Sequence, residues 1–194
     1  MARLAQAIRR VSNWTGCPLT ELRTRAHVQR KARQQPVEGR GLSGAGLKKP
    51  HLARLLIAAM MPDVKHHEVE AATRKIESLK LDSAWEEYEL LTKQLTPGEL
   101  KDLAYVKNLR QALVYFLGDV AQPDGIALSD FSLTRSGKQW VASFRFQEKT
   151  GNLIRIQFGK LRPQAKRSRP ASISQTVTVP SKIFPLLAGL LEAE

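Results

Sequence analysis

Cysteine is almost absent from this chain. Cys17 stands alone among 194 residues, which excludes an intramolecular disulfide and the bridged framework on which small secreted domains depend. Long hydrophobic runs are missing as well. No apolar stretch approaches the ~20 residues that a membrane-spanning helix needs. The opening MARLAQAIRRVSNW interrupts its apolar residues with Arg9 and Arg10, unlike a signal peptide. These absences predict a soluble cytoplasmic protein with no membrane partner. Catalytic constellations are lacking too. The glycine-rich GRGLSGAG (39–46) has no Lys-Ser/Thr end with which to cradle a nucleotide phosphate. Glu86, Glu87 and Glu89 offer carboxylates without a nucleophile or base beside them. The adjacent His66 and His67 point to different sides of a helix, with no second pair at ligand spacing. The expectation is a protein that is not an enzyme and takes no cofactor or metal. Cys17, at a helix start, leaves open a thiol of lowered pKa against the plainer role of a small core residue.

Acidic residues are scarce where basic ones crowd. Residues 1–54 hold 12 Lys/Arg against 2 Asp/Glu (+10), residues 55–118 hold 8 against 10 (−2), and residues 119–194 hold 11 against 6 (+5). The formal net charge of +13 and a pI near 10.2 point to an anionic partner. The asymmetry places that contact at the front end. An apolar content of 42% supports a packed core rather than a disordered chain. The densest cluster is TGCPLTELRTRAHVQRKARQQPVEGRG (15–41), where Arg23, Arg25, Arg30, Lys31, Arg33 and Arg40 are opposed by Glu21 and Glu38. A helix carrying such charge suits the phosphates of a nucleic acid, with a merely solvated face as the plainer reading.

Periodicity predicts the elements. Leu4, Ala7, Ile8 and Val11 mark a helix over 3–14, and Pro18 opens a second that runs to about 33 with Leu19, Leu22 and Ala26 on one face. A turn or hairpin tip fills 37–46, and a nearly all-apolar helix follows Pro50. Helices are predicted over 65–80, 83–94 and 97–117, the last two on capping-box patterns at Ser83–Glu86 and Thr96–Glu99. Alternation then predicts strands over 127–134, 139–147, 153–160 and 172–179, closed by a helix after Pro180. The fold class is α+β: an N-terminal helix-turn-helix unit, a helical middle, and a C-terminal antiparallel sheet of three or four strands with one helix. The expected divisions are 1–62, 63–118 and 119–194.

SNWTGCPLTELRTRAHVQRKARQQPV resembles the second and third helices of helix-turn-helix domains, in which a helix ends in a Gly-(small apolar)-(Ser/Pro) turn. The following GRGLSGAGLKKPHLARLLIAAM is similar to a segment of winged-helix-like DNA-binding regulators from alphaproteobacterial phages and prophages. The resemblance spans about residues 5–60 and implies a recognition helix with Thr20, Arg23, Thr24 and His27 outward. Its first turn would enter the major groove, with Arg23 reading guanine and Thr20 touching a phosphate or a thymine methyl. It further implies Arg25, Arg30, Lys31 and Arg33 on backbone phosphates, Arg40 reaching an adjacent groove, and Lys48 and Lys49 beside it.

The expected function is therefore sequence-specific binding of double-stranded DNA in transcription control, in a phage or prophage setting. A homodimer is expected, with the 83–117 helices and the C-terminal sheet as dimer surfaces. Two alternatives are weighed. One is an RNA or single-strand binder that uses the sheet, the KRSR loop (166–169) and a stacking platform of Trp140, Phe144 and Phe146. The period of two makes those aromatics a buried sheet face instead. The other is a phage factor whose charge serves an acidic surface on a host protein.

Overall fold

In the computed structural model the described residues are 4–33, 35, 46–61, 63–88, 91–94, 106–117, 126–148, 153–160 and 174–192. Three helices lead. Helix α1 (Leu4–Thr15) buries Leu4, Ala7, Ile8 and Val11, the stripe its spacing predicts. It ends in a tight turn. Gly16 takes φ +73° and donates its amide to Ser12 O at 3.0 Å. Ser12 Oγ donates to Cys17 O at 2.7 Å, and Thr15 Oγ1 donates to Val11 O at 2.7 Å. Helix α2 (Leu19–Lys31) follows Pro18 directly, and α3 (Lys49–Met60) is buried along almost its whole length from Leu52 onward. The α1, α2 and α3 helices pack on one another in all three pairings.

Beyond α3, a 3-10 turn (His66–Glu68) leads into α4 (Val69–Glu77), which packs on α2, α3 and the strand Gln139–Glu148. The sequence then departs from expectation. The helix predicted over 83–94 is a hairpin of two strands, β1 (Leu81–Tyr88) and β2 (Leu91–Gln94), paired from Tyr88↔Leu91 to Trp85↔Gln94. The reason is non-local: β1 docks antiparallel along β5 (Leu153–Phe158), and strand identity follows the partner rather than the local cap signal. Of the helix predicted over 97–117, the described part is α5 (Leu109–Phe116), and residues 106–108 before it are not helical. Asn108 is extended, bridges to Lys80, and caps α5 by accepting the Gln111 amide on Oδ1 at 3.0 Å. Residues 97–105 lie outside the described set.

The remaining strands match their alternation: β3 (Ile126–Ser136), β4 (Gln139–Glu148), β5, and β6 (Ser174–Pro180), with α6 (Ile183–Glu192) behind them. The sheet is antiparallel throughout, in the order β2-β1-β5-β4-β3-β6. Among the described residues it has six strands against the expected three or four, with β1 and β2 coming from the segment read as helix. Its inner face carries Phe131, Leu133, Phe144, Ile156 and Phe158, covered by α5 and α6. Phe116 of α5 lies 4.7 Å from the Phe144 ring centroid, and Phe184 of α6 lies 6.1 Å from Phe116. Buried side chains from Leu4 to Leu190 form one continuous cluster. Each large one contributes roughly 1.5–3 kcal/mol. The arrangement is a mixed α+β fold with its helices largely N-terminal and its sheet C-terminal.

Candidate nucleic-acid interface

Helix α2 has two polar faces with different destinations. Thr20, Arg23, Thr24, His27 and Lys31 are exposed and Arg30 is half-buried; at spacings of three and four they form one outward stripe. Arg30 Nη2 lies 3.0 Å from His27 Nδ1, and Thr24 Oγ1 donates to Thr20 O at 3.0 Å. Between this stripe and the start of α1 runs a groove of about 430 Å³, floored by Leu4, Ile8 and Ala26 and edged by Arg23 and Arg30. An apolar floor beneath cationic edges suits a surface that receives both a sugar or base and a phosphate.

Arg25 does not belong to this stripe, which corrects its expected place on backbone phosphates. It is 2% exposed. Its Nη1 donates to Ala58 O at 2.6 Å, in the last turn of α3, and to Met61 O at 2.7 Å, just past it, and its Nη2 is paired with Glu21. The guanidinium thus completes the C-terminal end of α3, where the helix dipole also favours a cation. The signal was present in the spacing: Leu22, Arg25, Ala26 and Gln29 fall at i, i+3, i+4 and i+7, and all four are buried. Gln29 carries the same structural duty. Its Nε2 donates to Thr73 Oγ1 at 3.1 Å and Arg54 O at 3.3 Å, and Gln35 Nε2 donates to Gln29 Oε1 at 3.1 Å and His51 O at 3.0 Å. Buried polar side chains therefore tie α2 to α3 and α4, through partners that the spacing alone does not name.

No protein-family model, curated protein or solved structure matches this chain.

Arg33 sits just past α2, exposed, with φ +57°. Lys48 is exposed and precedes α3, while Lys49 is half-buried at its first turn. Arg40 and the KRSR loop lie outside the described residues. Burial first, then the cations Arg54, Lys48 and Arg110, hold His51 below the usual histidine pKa. The backbone amide of Lys48 donates to its Nδ1 at 3.0 Å, a bond that needs the neutral ring.

Two further expectations resolve. The Cys17 thiol is pushed up, not down: burial outweighs the lowering effect of Arg25, so the core role holds. Trp140, Phe144 and Phe146 are all buried, packed beneath helices rather than presented as a stacking platform. On the dimer question, the 83–94 segment carries strands β1 and β2, with β2 at the sheet edge, rather than a helix, and among the described residues Leu186 of α6, at 43%, is the exposed large hydrophobic side chain. No helix of the described residues is long and apolar enough to cross a membrane.

Proposed function

We propose that this protein binds double-stranded DNA sequence-selectively through α2 and acts as a homodimeric transcription regulator of phage or prophage origin. One observation carries the reading: α2 directs Thr20, Arg23, Thr24, His27, Arg30 and Lys31 outward while Arg25 and Gln29 anchor its opposite face to α3 and α4. A helix so anchored presents its cations in a fixed arrangement, and preorganisation lowers the entropic cost of binding. The preceding Gly16 turn and the surplus of basic residues in the first quarter support the same reading. Burial of Trp140, Phe144 and Phe146 counts against single-strand stacking on the sheet.

The test is selection from a random pool of duplex oligonucleotides at physiological salt. An enriched motif with two-fold symmetry is expected, its half-sites about 10 base pairs apart, as a dimer of reading heads requires. Recovery of no motif, with binding equal to that of competitor DNA, would sink the proposal.

A further inference from the structure

A second cleft, of about 470 Å³, lies beyond the end of α2. Four arginines from four parts of the chain meet there: Arg33 after α2, Arg54 of α3, Arg74 of α4 and Arg110 of α5. Glu77 is the carboxylate among its lining residues. It is buried, and its Oε1 lies 2.8 Å from Arg54 Nε and 4.0 Å from Arg110 Nε. Arg74 is paired with Glu70 at 2.6 Å. The two carboxylates offset two of the four guanidinium charges, so the described cleft keeps a cationic excess. Arg33, Arg74 and Arg110 are exposed at its rim, whereas Arg54 is held at its floor.

None of these side chains belongs to the outward stripe of α2, although the resemblance placed Arg33 on a backbone phosphate, and sequence separation from 33 to 110 hides their convergence. We propose that this cleft binds a phosphate group, with the forks of Arg33, Arg74 and Arg110 on its oxygens and the Arg54–Glu77 pair as a fixed base. Guanidinium forks match phosphate oxygens two at a time, which distinguishes a site of this kind from diffuse positive charge. Burial first, and then Arg54, Lys48 and Arg110, hold His51 below the usual histidine pKa, so two of the cleft's arginines act on it only as a secondary cause. The phosphate belongs either to a duplex backbone or to a small phosphorylated molecule.

The probe is inorganic pyrophosphate, titrated into the full chain and followed by backbone amide NMR. The key variant is Arg33→Asn with Arg110→Gln, asparagine being chosen because it tolerates the left-handed backbone at 33. Lys65→Gln with Lys182→Gln removes the same charge from exposed positions outside the cleft. Wild type and charge control are expected to bind alike, with shifts centred on the cleft. The Arg33/Arg110 variant should bind at least tenfold more weakly, and Arg74→Gln alone should repeat the loss in part. Absence of wild-type binding, or equal binding by the variant and the charge control, overturns the proposal. A duplex arm identifies the source. If backbone phosphate is the occupant, pyrophosphate competes with duplex and the variant's log-affinity against log-salt slope is shallower by about 2. If pyrophosphate binding falls while duplex binding matches the charge control, a small phosphorylated molecule is the occupant. The pyrophosphate result is independent of the random-pool selection, so failure of either proposal leaves the other standing.

Discussion

Arg23 and Arg25 are two positions apart on one helix, identical in chemistry, and opposite in role. Arg25 satisfies two carbonyls at the end of α3 from a position 2% exposed, so its loss leaves them buried without a donor and opens a void. Removing one partner from a buried charged network costs about 3–5 kcal/mol. Urea unfolding should show Arg25→Ala in that range, while exposed Arg23→Ala should stay within about 0.5 kcal/mol of wild type. Equal stability of the two variants would refute the structural assignment of Arg25. His51 gives the second prediction at this scale. Its pKa is depressed in the folded state, so the neutral ring is favoured there and protonation opposes folding. Its contribution is fully present above the ordinary histidine pKa near 6.5 and is lost as pH falls through the lower folded value. Unfolding midpoints taken from pH 7.5 down to 5 should therefore fall for wild type, and His51→Gln should flatten that part of the profile. An unchanged profile in the variant would refute it.

At the scale of elements, Gly159 shows how the sheet meets the helical half. It ends β5 with φ +79°, and its amide donates to Lys80 O at 2.9 Å, where β1 begins. A Cβ there would lie 2.6 Å from the backbone oxygen of Trp140 and 2.9 Å from Leu79 Cδ2. Leu79 O in turn accepts the Leu109 amide at 2.9 Å, so the same short stretch seats α5. Gly159→Ala adds a clash to an unfavourable backbone conformation and should cost about 2–3 kcal/mol. Gly16→Ala, at φ +73° with open space around it, should cost roughly 1 kcal/mol from conformation alone. Thermal melts reversing that order would contradict this account. The elements legible in the sequence were those whose own periodicity decides them: α1 from Leu4 to Val11, the buried α3, and β4, whose Trp140, Ala142, Phe144 and Phe146 alternate inward. What could not be read was set by distant partners. Ser83–Glu86 carries a good helix cap, yet it lies in a strand because β5 lies alongside. The outward stripe of α2 was legible for the same local reason. For Arg25 the spacing from Leu22 and Ala26 carried the signal, but a basic side chain on an apolar stripe is explained only by the α3 carbonyls it meets.

For the molecule as a whole, the charge distribution sets the most discriminating expectation. A diffuse basic surface and an ordered reading helix both bind DNA at low salt, and net charge alone cannot separate them. They differ in how individual cations act. In the proposed geometry Arg23 approaches base edges, whereas Arg30 and Lys31 lie nearer the backbone. With about six phosphate contacts, log affinity should fall against log salt with a slope near −5. Arg30→Ala should make that slope shallower by about 1 and weaken all duplexes alike. Arg23→Ala should leave the slope nearly unchanged and cost about 1–3 kcal/mol on the selected motif alone, relaxing preference at one base pair. Fluorescence anisotropy on matched and single-mismatch duplexes at several salt concentrations measures both quantities together. If the two variants weaken binding equally on every sequence, the front end is an undirected cationic surface, and α2 does not read DNA.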